Sequence, residues 1–215
     1  MSEEKSFDGI ILDIDGTIWN TTGIVAVAWN KAIDITGFGA RKVVAEDLQK
    51  EFGKTMDVIA SDLWPELSEE KRNILLSNCC TEEQLAIRGN EIDITYEGVA
   101  ETIREMSGKM NFYVVSNCQD GYIELMLEKT GLTPYIKDFE CFGRTGKGKA
   151  ENIQLLCHRN GLSSAVYVGD TETDAKACLQ AKIPFIFASY GFGEVKDTDL
   201  WKKINSFREI KELVN

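Results

Sequence analysis

Histidine is nearly missing from this chain: the single copy, His158, stands beside Arg159 in a stretch patterned as a surface helix over residues 150–160. A His-based triad, a phosphohistidine or a His-rich zinc site therefore has little to build on, and any catalysis must rest on carboxylates, lysine, hydroxyls or thiols. Basic residues are in deficit too, 24 Lys+Arg against 35 Asp+Glu for a net charge of −11, which argues against nucleic acid or an anionic membrane as partner. No apolar run approaches the ~18 residues of a membrane span. The start, Met1-Ser2-Glu3-Glu4-Lys5, has neither a basic n-region nor an apolar h-region, so the expectation is a cytoplasmic protein with no membrane partner. The six cysteines, at 79, 80, 118, 141, 157 and 178, form no C-x-x-C pair, and adjacent Cys79-Cys80 is poorly placed for a structural bridge; reduced thiols follow. The oligomeric state cannot be read from the sequence.

What the chain does contain is a packed interior: 43% of its 215 residues are hydrophobic, enough for one large domain or a core with a smaller insert. Apolar runs of strand length recur at residues 9–12, 111–116, 139–142, 165–168 and 184–187, most followed by helical patterns such as 121–129, 151–159 and 173–180. This rhythm predicts an α/β fold, a Rossmann-like parallel sheet with helices on both faces. Between residues 21 and 88 the rhythm fails, and only helical patterns remain, at 25–36, 45–52, 56–63, 68–80 and 82–88. Such a block after the first strand predicts an inserted all-α cap, residues 19–88, above a catalytic core of residues 1–18 and 89–215.

Four strand ends carry groups suited to chemistry. After the first, Asp13-Ile14-Asp15-Gly16-Thr17 sets two carboxylates two positions apart, where strand alternation sends both to one side and Gly16 lets the chain turn. At ~4 Å and an effective dielectric of ~20 they repel by about 4 kcal/mol, so a cation or a shared proton is needed. After the second, Ser116-Asn117 offers a hydroxyl and an amide that could hold an anionic oxygen, although a turn is the ordinary use of such a pair. After the third, Gly143-Arg144-Thr145-Gly146-Lys147-Gly148-Lys149 reads as a basic loop entering a helix, where Lys149 could offset phosphate charge. After the fourth, Val168-Gly169-Asp170-Thr171-Glu172-Thr173-Asp174 repeats the theme, with Asp170 a hard-metal ligand candidate and Asp174 one helical turn on.

A rival motif is a nucleotide-binding P-loop at Gly143-x-x-x-x-Gly148-Lys149. It fails at the next position, where Ala150 replaces the Ser/Thr that holds Mg2+, and it leaves Asp13 and Asp15 unexplained.

The four motifs, in this order, resemble the haloacid dehalogenase superfamily, specifically its Mg2+-dependent phosphatase-like members with a helical cap inserted after the first strand. Ser189-Tyr190-Gly191-Phe192-Gly193 is also similar to the corresponding loop of phosphoglycolate-phosphatase-like relatives. The chain departs from the family pattern at Lys149-Ala150, where Lys-Pro is common, and at Asn20-Thr21, where Asp-Ser is common. The resemblance implies hydrolysis of a small-molecule phosphate ester, with Asp13 as nucleophile and Asp15 as general acid and then base. It implies Mg2+ bound by Asp13, the Asp15 backbone carbonyl and Asp170. It further implies that Ser116, Asn117, Thr17 and Lys149 hold the phosphoryl group, with Lys149 preferred to Lys147 and Asp174 in a supporting role. A phosphomutase of the beta-phosphoglucomutase type would share every core residue. A non-catalytic Mg2+- or phosphate-binding module is the third possibility, while dehalogenation is disfavoured because it needs neither Asp15 nor a metal. For substrate contacts the cap offers Trp19, Trp29, Arg41, Lys54, Trp64 and Arg88, without a motif to choose among them.

Overall fold

A computed structural model describes residues 6–214, so the leader reading of Met1-Ser2-Glu3-Glu4-Lys5 falls outside the described residues. Strand β1 (Gly9–Leu12) is four apolar or small residues buried on both faces. It pairs in parallel with β2 (Phe112–Ser116) on one side, Ile10 opposite Phe112, and with β4 (Ala165–Gly169) on the other, Ile10 opposite Val166. β3 (Ile136–Cys141) extends the sheet beyond β2, and β5 (Phe185–Ala188) and β6 (Lys202–Ile204) extend it beyond β4, giving the all-parallel order β3-β2-β1-β4-β5-β6.

Strand periodicity divides the core in two. Ile10, Leu12, Phe112, Val114, Val166, Val168 and Ile186 face one side, where α5 (Val99–Met106) and α6 (Tyr122–Thr130) pack with Phe207 and with Ile210 of α10 (Ile210–Leu213). Ile11, Tyr113, Val115, Tyr167, Phe185 and Phe187 face the other, under α8 (Lys149–Asn160) and α9 (Glu172–Ala181). The sheet is therefore covered on both faces, as the uninterrupted apolar runs require.

Both edge strands escape the sequence pattern for the same reason. β3 begins at Ile136 and not at 139 because Lys137 and Asp138 can sit at an edge, and β6 carries Lys202 and Lys203 on the opposite rim. The loop after β3 opens with one helical turn, α7 (Phe142–Thr145), in which Arg144 pairs with Glu124 at 2.5 Å and Asp120 at 3.4 Å.

Between β1 and α5 lie α1 (Thr22–Thr36), α2 (Ala45–Glu51), α3 (Met56–Leu63) and α4 (Glu69–Gly89). Val25, Trp29, Ala32 and Ile33 give α1 its buried stripe, and Trp29 tilts against Trp64 with centroids 5.8 Å apart. α4 starts at Ser68, whose hydroxyl accepts from Lys71 N, and runs unbroken where the sequence suggests two helices. The Thr81 hydroxyl donates to the Ser77 carbonyl at 2.9 Å, so the apparent break is absorbed by the helix itself. The chain leaves and re-enters this helical block side by side: Asn20 N donates to Ile94 O and Tyr96 N to Ile18 O, bracketing a Trp19–Thr95 bridge. Among the described residues no helix is long and apolar enough to cross a membrane.

Candidate active site

The carboxyl end of β1 continues into a tight turn in which Thr17, Ile18 and Trp19 all donate backbone N–H groups to the Ile14 carbonyl. Gly16 adopts φ +81°, and a Cβ there would lie 2.0 Å from Asp170 Oδ2, so only glycine lets this turn meet the end of β4. The sheet order places β2 and β4 on either side of β1, and the groups at three strand ends thereby converge.

Asp13, Asp170 and Asp174 each present an oxygen within 4.8 Å of the others, and all three are buried. One ammonium faces them. Lys149, 3% exposed at the start of α8, lies 2.5 Å from Asp174 Oδ1 and 3.1 Å from Asp13 Oδ1. The Asp13 contact is off the axis of a hydrogen bond, so Asp13 Oδ1 is ion-paired but unbonded. Lys147 is exposed. Burial opposes the ammonium, but Asp13 and Asp174 outweigh it and hold Lys149 above its usual range. Asp174 is saturated: its Oδ2 accepts from Thr171 N and Oγ1 in a capping box. Asp170 accepts from Phe192 N at 2.7 Å and from the Thr17 hydroxyl at 3.3 Å. Burial first, then Asp174 and Asp13, push its carboxyl well above the ordinary value.

Three carboxylates against one lysine leave a formal excess of two negative charges in a site with little water. The donors are oxygen only, and Asp13 Oδ1 has no hydrogen bond to satisfy it. A hard divalent cation held by Asp13 and Asp170 fits this donor set.

Asp15 is in a different environment. Its Oδ1 accepts three hydrogen bonds, from Trp19 Nε1 (2.9 Å), Thr21 Oγ1 (3.0 Å) and Tyr122 OH (2.9 Å). Burial raises the carboxyl to about 7; these donors lower it only in part, and Asp13 raises it further. With Oδ1 saturated as an acceptor, a proton belongs on Oδ2. Asp13, by contrast, is raised by burial to about 6 with Lys149 beside it.

These shifts predict how the metal-free protein responds to pH. Asp13 and Asp15 bind protons more tightly folded than unfolded, where their reference value is 3.8, so their contribution to stability is complete below about pH 4 and is lost as pH rises through 6 and 7. Thermal melts without metal should show a lower midpoint at about pH 8 than at about pH 5, by the order of a few kcal/mol in stability. A divalent cation held by these carboxylates in their ionised form, tested with added Mg2+, should raise the midpoint more at the higher pH; equal shifts at both would contradict this assignment.

Asp15, Ser116 and Asn117 line a narrow cleft between the sheet and the helical block, about 360 Å3 of empty space with its opening to solvent included, together with Trp29, Phe52, Lys54, Glu83, Gln119 and Tyr122 among others. Asn117 Nδ2 donates to the Gly53 carbonyl in the loop between α2 and α3, and its Oδ1 is buried without a partner. Of the cap residues singled out from sequence, Trp29 and Lys54 reach this cavity. Trp19 serves Asp15, Trp64 is buried with Nε1 on Arg41 O, and Arg41 and Arg88 are surface ion pairs with Asp47 and Glu128. His158 is exposed on α8. Tyr122, Gln119 and Glu83 are absent from the sequence reading, and Thr21 enters it only as a departure from the family pattern. None belongs to a motif, although Glu83 leaves a signal, an acid at a position where the helix period calls for an apolar residue.

A profile of the family described as haloacid dehalogenase-like hydrolase matches residues 10–188. A phosphoglycolate phosphatase of Vibrio parahaemolyticus is 25% identical over 85% of this chain and 84% of its own length, and one of Agrobacterium fabrum is 26% identical over 88% and 84%. Among solved structures, a predicted phosphoglycolate phosphatase from Haemophilus somnus 129pt superposes with a TM-score of 0.84 at 19% identity, covering 97% of this chain and 98% of that one.

Proposed function

The chain belongs to the haloacid dehalogenase-like hydrolase family, and on that premise we propose that it is a Mg2+-dependent phosphatase that releases phosphate from a small phosphorylated metabolite through an aspartyl phosphate on Asp13. Phosphoglycolate, the substrate in the relatives' names, and sugar phosphates define the size class. The observation that carries the reading is the contrast between two neighbouring carboxyls: Asp13 set against a buried ammonium, Asp15 raised to about 7 with one oxygen capped by three neutral donors. Environments that push paired acids apart assign one as nucleophile and the other as acid.

In the first step an Asp13 oxygen attacks phosphorus while Asp15 gives its proton to the departing alkoxide. Lys149, Ser116 and Asn117 hold the equatorial oxygens of the phosphoryl group, Asn117 through the amide hydrogen not used on the Gly53 carbonyl. In the second step Asp15, now ionised, takes a proton from the water that attacks the acyl phosphate, which frees Asp13 and phosphate. Thr17 steadies Asp170, and Asp174 fixes the Lys149 ammonium. A magnesium ion held by Asp13, Asp170 and the Asp15 carbonyl would supply the positive charge that keeps Asp13 ionised and offsets that of the phosphoryl group. Residues 19–88 act as the cap over this centre, and 1–18 with 89–215 as its catalytic core.

The test is phosphate release from a panel of metabolite phosphates with and without Mg2+. Transfer to a second hydroxyl of a phosphosugar, with no net release, would mark a phosphomutase. Asp15→Asn separates the two steps. An aryl phosphate leaves without protonation, so the variant should release one equivalent of aryl alcohol in a burst, then turn over about 10²- to 10⁴-fold more slowly. Steady-state turnover equal to that of the unaltered protein would remove Asp15 from both roles.

A further inference from the structure

The buried stripe of α4 is Leu75, Cys79, Glu83 and Ile87, each one turn from the last. Three members are apolar, and the fourth is a carboxylate only 3% exposed, placed in the wall of the cavity that also holds Asp15. Its oxygens meet neutral donors: Oε2 accepts from Trp29 Nε1 at 2.7 Å and Oε1 from Gln119 Nε2 at 2.8 Å. Among the described residues no cation pairs with it. The cavity's lysine offers no relief, because Lys54 Nζ is already bound by Glu51 and Asp62, both at 2.8 Å. Burial raises its carboxyl to about 7, the bonds from Gln119 and Trp29 lowering it only in part, so its ionised form is costly unless a further donor answers it, and each oxygen keeps a lone pair beyond the one used.

We propose that Glu83 selects the leaving group, so that the substrate's end remote from phosphate presents hydrogen-bond donors, hydroxyls or an ammonium, and not a carboxylate. The inference rests on the phosphatase reading above. The departing oxygen must stand at Asp15 to receive its proton, and the remainder of the alcohol then occupies the cavity that Glu83, Gln119 and Trp29 line. A hydroxyl or ammonium there donates to Glu83. A carboxylate would be a third acid beside Asp15 and Glu83, with Lys54, the only cation in the wall among the described residues, already paired with Glu51 and Asp62. This sets the chain apart from phosphoglycolate, which ends in a carboxylate.

The test compares phosphoglycolate, glycerol phosphate and phosphoethanolamine, with p-nitrophenyl phosphate as reference, using the full chain with Mg2+. An ester that is not turned over is ranked by its inhibition of the aryl phosphate reaction. The hydroxyl or ammonium ester should exceed phosphoglycolate in kcat/KM or affinity by at least about tenfold, and which of the two leads identifies the donor. Glu83→Gln should bring that ratio to within about threefold of one by removing the charge. A ratio near or below one in the unaltered protein overturns the proposal, and needs no variant to be read. So does Glu83→Gln lowering every ester by one common factor, the result expected of a group that only holds Trp29 and Gln119. Failure to hydrolyse even the aryl phosphate would instead defeat the phosphatase reading, and this inference with it.

Discussion

Asp13→Asn is expected to reduce phosphate release from any ester by at least about 10⁴-fold, because the amide cannot take up the phosphoryl group. The fold should survive. Asp13 is one of three clustered buried carboxylates and shares the Lys149 ammonium with Asp174, and the asparagine oxygen can still face Lys149 Nζ, now 3.1 Å from Asp13 Oδ1. Removing one negative charge eases the repulsion, so the metal-free melting temperature should hold or rise at about pH 8, while the stabilisation given by Mg2+ shrinks. Activity within tenfold of the unaltered protein would take the nucleophile's role away from Asp13. A lowered melting temperature without metal would show that the carboxylate contributes more through Lys149 than it costs through its neighbours.

Lys149→Met carries the second large effect, and it acts on stability and turnover together. Lys149 is the cation that Asp13 and Asp174 share, at 3.1 and 2.5 Å, and all three are nearly inaccessible. Removing one partner from a buried ion pair costs about 3–5 kcal/mol because the charges left behind have lost their compensation. The sign is fixed by the direction of its shift: a lysine held above 10.5 in the folded state contributes fully at neutral pH and loses that contribution only as pH rises beyond 10.5. Urea unfolding at about pH 8 should therefore reveal the full loss. At about pH 5 the loss should be smaller, since Asp13, raised to about 6, takes up a proton. Turnover should fall by roughly 10²- to 10³-fold, the usual effect of removing one charged contact to a reacting oxyanion. Equal destabilisation at both pH values would mean that the methionine disturbs packing and not charge balance.

The sequence makes the candidate strand ends legible because their chemistry is local. Asp13-Ile14-Asp15, Ser116-Asn117 and Gly169-Asp170 each follow an apolar run, and strands β1, β2 and β4 are central enough to be uniformly apolar. Lys149 is distinguished from Lys147 by a helix beginning beneath it. The misread elements are those where exposure dilutes the pattern: β3 and β6 at the sheet edges, and the eight residues of α5. What tunes Asp15 is hidden for another reason. Trp19 and Thr21 are close in sequence but carry no signal of direction, and the third donor, Tyr122, comes from a helix 107 positions away. Glu83 is legible only by half: its place in the Leu75, Cys79, Ile87 period marks it, but its partners Trp29 and Gln119 come from outside its helix.

The position of β1 has a further cost, paid during synthesis. Its hydrogen-bonding neighbours, β2 and β4, lie about 100 and 155 residues downstream, and both must be present before Ile10, Ile11 and Leu12 are enclosed. At a translation rate of about 5–20 residues per second, the nascent chain carries an unpaired apolar segment for roughly ten to thirty seconds before its second neighbour emerges. Contacts of such long range also slow closure once the chain is complete. The segment bearing Asp13 is therefore the one most exposed to misassociation, and for this protein the recovery of activity should lag behind the formation of helices when denatured chains are returned to native conditions.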